Sequence, residues 1–154
     1  METKAKGRTT IRTAAVCFMA SALFEVLDIA TAVPLLGGMR RGIAAMGYHL
    51  FFAGIFLGMG AGLWTGKPWG YKMVMFGTAF YALDKTQMLL ARQTFAEFIM
   101  QQFTTPTTRE LVNLVPKELL LQVMTLAYLS IVLGWLGFAL YVRLRRAYFE
   151  ASGR

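Results

Sequence analysis

The sequence predicts an all-α membrane protein in which four transmembrane helices form one bundle. The chain of 154 residues is 56% hydrophobic, only 16% of its residues are charged, and its mean hydropathy is +0.51. Its apolar residues occur in four long runs. A disordered chain contains few apolar residues, and a water-soluble domain of this length needs a more polar exterior. The length fits one domain, so we expect a single bundle in a lipid bilayer.

Each of the four apolar runs reaches the roughly 20 residues that a transmembrane helix requires. The spans are predicted at about residues 13–36, 42–64, 69–91 and 119–142. Gly37 and Gly38 follow the first run, the turn at 66–68 separates the second from the third, and Pro116 precedes the fourth. Glycine and proline favour turns, and proline is tolerated at a helix start. These spans define a transmembrane domain at 13–146, between a basic segment at 1–12 and a tail at 147–154.

The long connection after the third span is the one segment with room for another element. Phe95, Phe98, Ile99 and Phe103 recur at helical spacing. This pattern predicts either an interfacial helix or an extension of the third span within residues 93–115. The segment 104–108 around Pro106 is predicted to end that helix.

The orientation follows from the basic residues beside the spans. Ten Lys and Arg residues lie on the side of both termini and five on the opposite side, where Arg40 and Arg41 oppose the trend. The positive-inside rule therefore predicts that both termini are cytoplasmic, in a bacterial-type inner (plasma) membrane. The first run contains Glu25 and Asp28 and lacks a small-x-small cleavage site, so we expect it to persist as a span.

Ionisable and polar side chains inside the spans are the candidate site. A charged, unpaired side chain at mid-membrane costs roughly 2.5 to 3.5 kcal/mol, so such residues require compensation. Counted at 1.5 Å per residue from the terminal side, they all lie about 20 to 26 Å deep and form one layer in the outer half of the bilayer. The layer consists of Glu25, Asp28, His49, Asp84, Lys85 and Tyr128.

The pattern of this layer permits two interpretations. Ser21, Glu25, Asp28 and Thr31 share one helical face in the first span, and a second stripe in the third span includes Lys85. The lysine is expected to pair with one of the three carboxylates. The layer is then either a structural network of ion pairs and hydrogen bonds or a proton or cation site. Three carboxylates against one lysine give a charge of −2 when His49 is neutral, which favours binding of protons or a cation.

The sequence predicts no metal site, no cofactor and no nucleic-acid partner. His49 is the one histidine, Cys17 is the one cysteine, and no Glu-x-x-His motif of a di-iron bundle occurs. The ten methionines show no shared ligand spacing and are interpreted as core residues. The basic residues lie outside the apolar runs without the pattern of a nucleic-acid-binding module.

Glycines in the second span supply a helix-packing motif. Gly54, Gly58 and Gly62 recur at four-residue intervals, and Ser130 and Gly134 form a weaker pair of the same kind in the fourth span. Small residues at this spacing allow close approach of two helix backbones. The contact is predicted either within the monomer or with a second copy or partner subunit.

Three functions remain open from the sequence. The leading hypothesis is a non-catalytic subunit or helix-interaction protein of a membrane assembly, acting as a homo-oligomer or with a partner membrane subunit. The alternative is a small proton- or cation-coupled transporter or channel that uses the acidic layer. The third is a membrane enzyme acting on a lipid or quinone, which ranks last because no catalytic motif or nucleophile is recognisable.

Overall fold

The computed structural model describes residues 7–103, 105, 110, 112 and 114–150. These residues form six helices and one short antiparallel hairpin. The elements in chain order are α1 (Arg8–Leu27), β1 (Val33–Leu35), β2 (Gly38–Arg40), α2 (Ile43–Thr65), α3 (Pro68–Leu90), α4 (Arg92–Gln102), α5 (Lys117–Leu144) and α6 (Arg146–Glu150).

Three of the described helices, α1, α2 and α5, are long and apolar enough to cross a membrane. The protein is therefore a helical membrane protein by the length and composition of its helices. Helix α3 has 23 residues, as many as α2. Its charged residues lower its hydropathy, because Lys72 lies near its start and Asp84 and Lys85 near its end. The structure thus gives three helices that meet both conditions, against the four predicted.

The predicted first span is corrected at both ends. Helix α1 begins at Arg8 and ends at Leu27, where Asp28 caps it and donates its backbone N–H to the carbonyl oxygen of Phe24. Hydropathy extended the span to residue 36 because the chain beyond Asp28 remains apolar. Pro34 lies in that stretch, and a proline in a helix interior lacks the N–H that the helix needs.

The chain between α1 and α2 instead folds into the hairpin. Val33 pairs with Arg40, and Leu35 pairs with Gly38. The turn is tight, with positive φ angles of 52° at Leu36 and 73° at Gly37. Glycine adopts such an angle without steric cost, so Gly37 suits one of the two turn positions, and Leu36 occupies the other. The two glycines that were predicted to end a helix therefore lie in a hairpin, Gly37 in its turn and Gly38 at the start of β2.

The first half of the long connection forms the helix α4. Ala91, with φ −86° and ψ 71°, interrupts the helical backbone, so α4 is a separate helix and does not extend α3. Its buried residues Phe95 and Ile99 pack with Met88 of α3 in a small apolar cluster. The predicted break at 104–108 lies outside the described residues, except for Thr105. Residues 1–6 and 151–154 of the two predicted terminal segments also lie outside them.

The main core joins the four long helices around Trp135 of α5. Its indole stacks on Tyr81 of α3 with ring centroids 4.2 Å apart and planes at 6°. The same ring contacts Phe18 of α1 at 5.1 Å and Phe56 of α2 at 5.6 Å. Aromatic pairs at these separations stabilise beyond their buried area. One side chain of α5 therefore contacts each of the other three long helices.

The glycines of α2 pack within the chain, but not as one face. A Cβ at Gly62 would lie 2.5 Å from the Cα of Gly70, so α2 and α3 cross there almost backbone to backbone. Gly58 faces Met73 of α3, whereas Gly54 has nothing within 4 Å of such a Cβ. Gly60, which lay outside the predicted motif, approaches α1, where a Cβ would lie 2.9 Å from the carbonyl oxygen of Ala15.

The Gly62–Gly70 crossing gives a test with a matched control in the same helix. We expect Gly62→Ala to lower the free energy of unfolding by about 1–3 kcal/mol, because the methyl group overpacks a backbone contact. Gly54→Ala is expected to stay within about 0.5 kcal/mol of the wild type. Thermal unfolding in a mild detergent, followed by circular dichroism, measures both. Equal melting temperatures for the two variants would contradict the crossing.

Candidate functional site

A cavity of about 770 Å³ lies at the end of the bundle where α1 ends, α2 begins and α3 ends. Polar and charged side chains from these elements line it. The hairpin and α4 contribute further lining residues. The lining residues are Glu25, Asp28, Ala30, Thr31, Ala32, Val33, Pro34, Arg41, Tyr48, His49, Lys85, Phe98, Gln101 and Gln102.

A chain of hydrogen bonds through His49 forms one wall of this cavity. Nδ1 of His49 lies 2.7 Å from Oε2 of Glu25, and its Nε2 lies 3.1 Å from Oγ1 of Thr31. The imidazole is buried, with 6% of its residue surface exposed, while Thr31 is exposed. The chain of contacts therefore leads from α1 through α2 to a hydroxyl in the loop that follows α1.

The hydroxyl of Thr31 determines the protonation of this chain. It donates its single hydrogen to the carbonyl oxygen of Asp28 at 2.7 Å. With this hydrogen so placed, the 3.1 Å contact is a hydrogen bond only for the forms of His49 that carry a proton on Nε2. The 2.7 Å contact between Nδ1 and Glu25 also needs a hydrogen, which either an imidazolium or a protonated carboxyl supplies. In both cases Glu25 and His49 share one proton and are neutral as a pair.

A second polar cluster joins α2 to α3. The hydroxyl of Tyr48 donates to Oδ2 of Asp84 at 2.7 Å and accepts from Nζ of Lys85 at 3.3 Å. Nζ of Lys85 also pairs with Oδ2 of Asp84 at 2.9 Å and lies 5.3 Å from the ring centroid of Tyr81. The side chains of Asp84 and Lys85 are only 8% and 14% exposed. The two opposite charges thus compensate each other inside the bundle.

Both clusters depend on one pair of neighbouring residues in α2. Successive residues on an α-helix point in directions about 100° apart. Tyr48 consequently contacts α3 while His49 contacts α1. Thr31, which also contacts His49, lies outside the helices. The turn after α1 positions it, and not the helical face that the sequence suggested.

The hairpin covers the cavity and is bonded to the helices beneath it. Nε2 of Gln87 in α3 donates to the carbonyl oxygen of Pro34 at 3.0 Å. Oγ1 of Thr94 in α4 donates to the carbonyl oxygen of Gly37 at 2.7 Å. Val33 of β1 is buried, with 3% of its surface exposed. These side-chain bonds position the segment that carries Thr31 and the apolar lining residues.

The predicted layer is thus divided by the structure. Glu25 meets His49, and Asp84 meets Lys85, whereas Asp28 is the exposed cap of α1 on the cavity wall. Two of the three carboxylates therefore have partners, and the predicted excess of −2 does not persist as a buried charge. Tyr128 lies elsewhere and packs edge-on against Phe95 and Phe98 of α4.

Tyr48, Thr31 and Arg41 are site residues that the sequence reasoning missed or misplaced. Tyr48 was overlooked, although it directly precedes the histidine. Thr31 was assigned to a helical stripe that ends before it, and Ser21 of that stripe bonds instead to the carbonyl oxygen of Cys17 in its own helix. Within the described ranges, no group of three His, Cys, Asp or Glu residues is arranged to hold a metal ion.

The role of Tyr48 can be tested by removing its hydroxyl. We expect Tyr48→Phe to lower the free energy of unfolding by about 1–3 kcal/mol, because Asp84 and Lys85 lose a buried partner. Tyr128→Phe is the matched control, since Tyr128 does not line the cavity and its ring packs edge-on against Phe95 and Phe98 of α4. Thermal unfolding in detergent compares the two. A larger loss for the control would contradict the assignment of Tyr48 to the network.

Comparison of the chain with protein-family models, with curated proteins and with solved structures finds no match. The geometry of the cavity and its two hydrogen-bonded clusters is therefore the basis for assigning a function.

Proposed function

We propose that this protein binds protons and a small polar solute in its cavity, as a small proton-coupled membrane transporter does. The observation that carries the proposal is the 2.7 Å contact between Oε2 of Glu25 and Nδ1 of His49 in the cavity wall. A carboxylate and an imidazole inside a membrane helix bundle are typical of proton relays. The volume of about 770 Å³ lies within the range of small-molecule sites.

The remaining charges of the lining support a polar solute. Lys85 contributes a positive charge that Asp84 compensates from outside the lining. Asp28 and Arg41 are exposed on the cavity, and neither forms an ion pair with another described residue. A solute that enters from this end therefore meets a negative group, a positive group and a proton-binding pair.

We further propose that α3 is a fourth transmembrane helix and that both termini are cytoplasmic. Val74, Gly77 and Thr78 of α3 are buried, and Tyr81 stacks on Trp135 of α5. The charges of Asp84 and Lys85 lower its hydropathy, but their pairing reduces the cost of placing them in the bilayer. The excess of Lys and Arg at the terminal end favours a cytoplasmic location of that end in an inner (plasma) membrane.

A second candidate function, contact with another copy or with a partner subunit, is favoured by one face of α5. Ala127, Ser130, Gly134 and Gly137 follow helical spacing and are all exposed. A Cβ at Gly134 or Gly137 would have nothing within 4 Å. Small residues along one side of a membrane helix are typical of helix–helix contacts. Four helices are few to enclose a pathway, so an oligomer is consistent with the transporter.

Proton transport can be measured in liposomes that contain the purified protein and a trapped pH-sensitive dye. A potassium gradient with valinomycin supplies the driving force. We expect wild-type protein to conduct protons and Glu25→Gln to lower the flux by about tenfold or more, because an amide cannot take up the proton. Glu97→Gln is the control, since Glu97 is an exposed acid of α4 outside the cavity lining.

The outcome for the wild type decides this proposal. Flux that equals that of empty liposomes would overturn proton transport. If Glu25→Gln and Glu97→Gln lowered the proton flux equally, Glu25 would have no specific role in proton transport.

Association through α5 can be tested by adding bulk to the small-residue face. We expect wild-type protein to form an oligomer or to copurify with a subunit, and Gly134→Leu to shift it towards the free monomer. Leu136→Phe is the control, because Leu136 is 46% exposed and lies on another side of α5. Native mass spectrometry in mild detergent measures the species. A strictly monomeric wild type with no copurifying subunit would count against this function.

A further inference from the structure

We propose that Thr31, His49 and Glu25 also form a nucleophile, base and acid for acyl transfer from an ester. Oγ1 of Thr31 lies 3.1 Å from Nε2 of His49, and Nδ1 of His49 lies 2.7 Å from Oε2 of Glu25. Both contacts fall within the reach of about 2.6–3.2 Å that marks an activated nucleophile with an oriented base. The inference goes beyond the proposed function, because it does not require any solute to cross the membrane.

The order of the three groups, from the cavity inwards, suits acyl transfer. Thr31 is exposed and lines the cavity, so its oxygen is the group of the three that a substrate reaches first. His49 is buried behind it, and Glu25 contacts the far nitrogen of the imidazole. A base oriented by a third group in this way recurs on unrelated folds and is recognised by geometry rather than by sequence position.

One proton separates the observed arrangement from the reactive one. The hydroxyl of Thr31 donates to the carbonyl oxygen of Asp28 at 2.7 Å, an arrangement that matches a proton on Nε2 of His49. When the proton on Nε2 is lost, the neutral imidazole donates from Nδ1 to the Glu25 carboxylate and leaves Nε2 as an acceptor. Rotation about the Cβ–Oγ1 bond then turns the Thr31 hydroxyl to Nε2. The heavy atoms need not move.

The reaction proceeds in two balanced steps. Oγ1 of Thr31 attacks the carbonyl carbon of the ester while Nε2 of His49 takes the hydroxyl proton. The ester C–O bond then breaks, the alcohol leaves with the proton from Nε2, and the acyl group remains as an ester on Thr31. In the second step water attacks that ester while Nε2 of His49 takes a proton from the water. The bond between the acyl carbon and Oγ1 then breaks, His49 returns the proton to Oγ1 of Thr31, and the carboxylic acid is released. Arg41 lines the same cavity.

The position of the site indicates an amphiphilic ester as the substrate class. Glu25 lies two residues from the end of α1 and His49 six residues from the start of α2. These separations correspond to about 3 and 9 Å along the helices, so both groups lie near the end of the bundle. The lining offers Val33 and Phe98 to an acyl chain, and amides from α4 to a polar head.

The full chain in mild detergent is tested with a fluorophosphonate probe and with p-nitrophenyl decanoate. We expect the probe to add covalently to Thr31, located by peptide mass spectrometry, and the ester to be hydrolysed. Thr31→Ser should keep both activities, Thr31→Val should lose both, and Glu25→Gln should slow hydrolysis by about 100-fold or more. Thr65→Val is the control, because Thr65 also bonds to a backbone carbonyl oxygen, that of Ala61, but lies at the other end of α2.

An adduct on Thr31 of the wild type together with the loss in Glu25→Gln supports acyl transfer. A wild type that gives no adduct, or gives one only at another residue, overturns it. If Thr31→Val hydrolyses the ester at the wild-type rate, acyl transfer is also overturned. The adduct is mapped on wild-type protein, so the test remains decisive if Thr31→Val does not fold. Proton flux without an adduct would leave transport supported and acyl transfer refuted.

Discussion

The structure depends on the compensation of charges inside the helix bundle by Tyr48 and His49. Charged groups buried in a membrane protein require partners, and three ionisable side chains of α1 and α3 contact these two residues. His49 satisfies Glu25 of α1, and Tyr48 satisfies Asp84 and Lys85 of α3. Because the two partners are adjacent on α2, the rotation of α2 about its axis is fixed relative to both neighbours. A turn of α2 by one residue would leave both clusters unpaired.

The two ends of the bundle are built differently, and the candidate site lies at only one of them. Towards the termini, glycine contacts such as Gly62 with Gly70 bring backbones together, and Phe149 of α6 is buried against Tyr71 of α3. At the opposite end the hairpin between α1 and α2 covers a cavity of about 770 Å³. Close packing at one end thus supports an open, polar site at the other, where the compensated charges lie.

Hydropathy and the cost of buried charge predicted much of this arrangement. The helices α2, α3 and α5 begin and end within two residues of their predicted limits, because glycine, proline or charged residues mark those limits in the sequence. The ionisable groups inside the spans identified Glu25, His49, Asp84 and Lys85 before their partners were known. This reasoning works because burial of an ionisable group requires a partner whatever the details of packing.

The remainder could not be predicted, because it depends on where one helix ends. The chain after Asp28 is as apolar as the span before it, so composition does not distinguish a continued helix from a covered hairpin. Once α1 ends at Leu27, Thr31 no longer belongs to a helical face, and its direction is set by the hydrogen bond to the carbonyl oxygen of Asp28. Tyr128 was misplaced for a related reason: depth was counted along straight helices, whereas α4 covers that part of α5.

The hydroxyl of Thr31 connects the charge network to the hairpin. It has one hydrogen, which bonds either to the carbonyl oxygen of Asp28 or to His49, and the proton on Nε2 of His49 decides between the two. Loss of that proton removes the hydrogen bond to Asp28 at the point where the chain leaves α1 and enters the hairpin. Both proposed activities therefore begin with the same proton, since the event that frees His49 as a base also weakens the attachment of the cavity's cover.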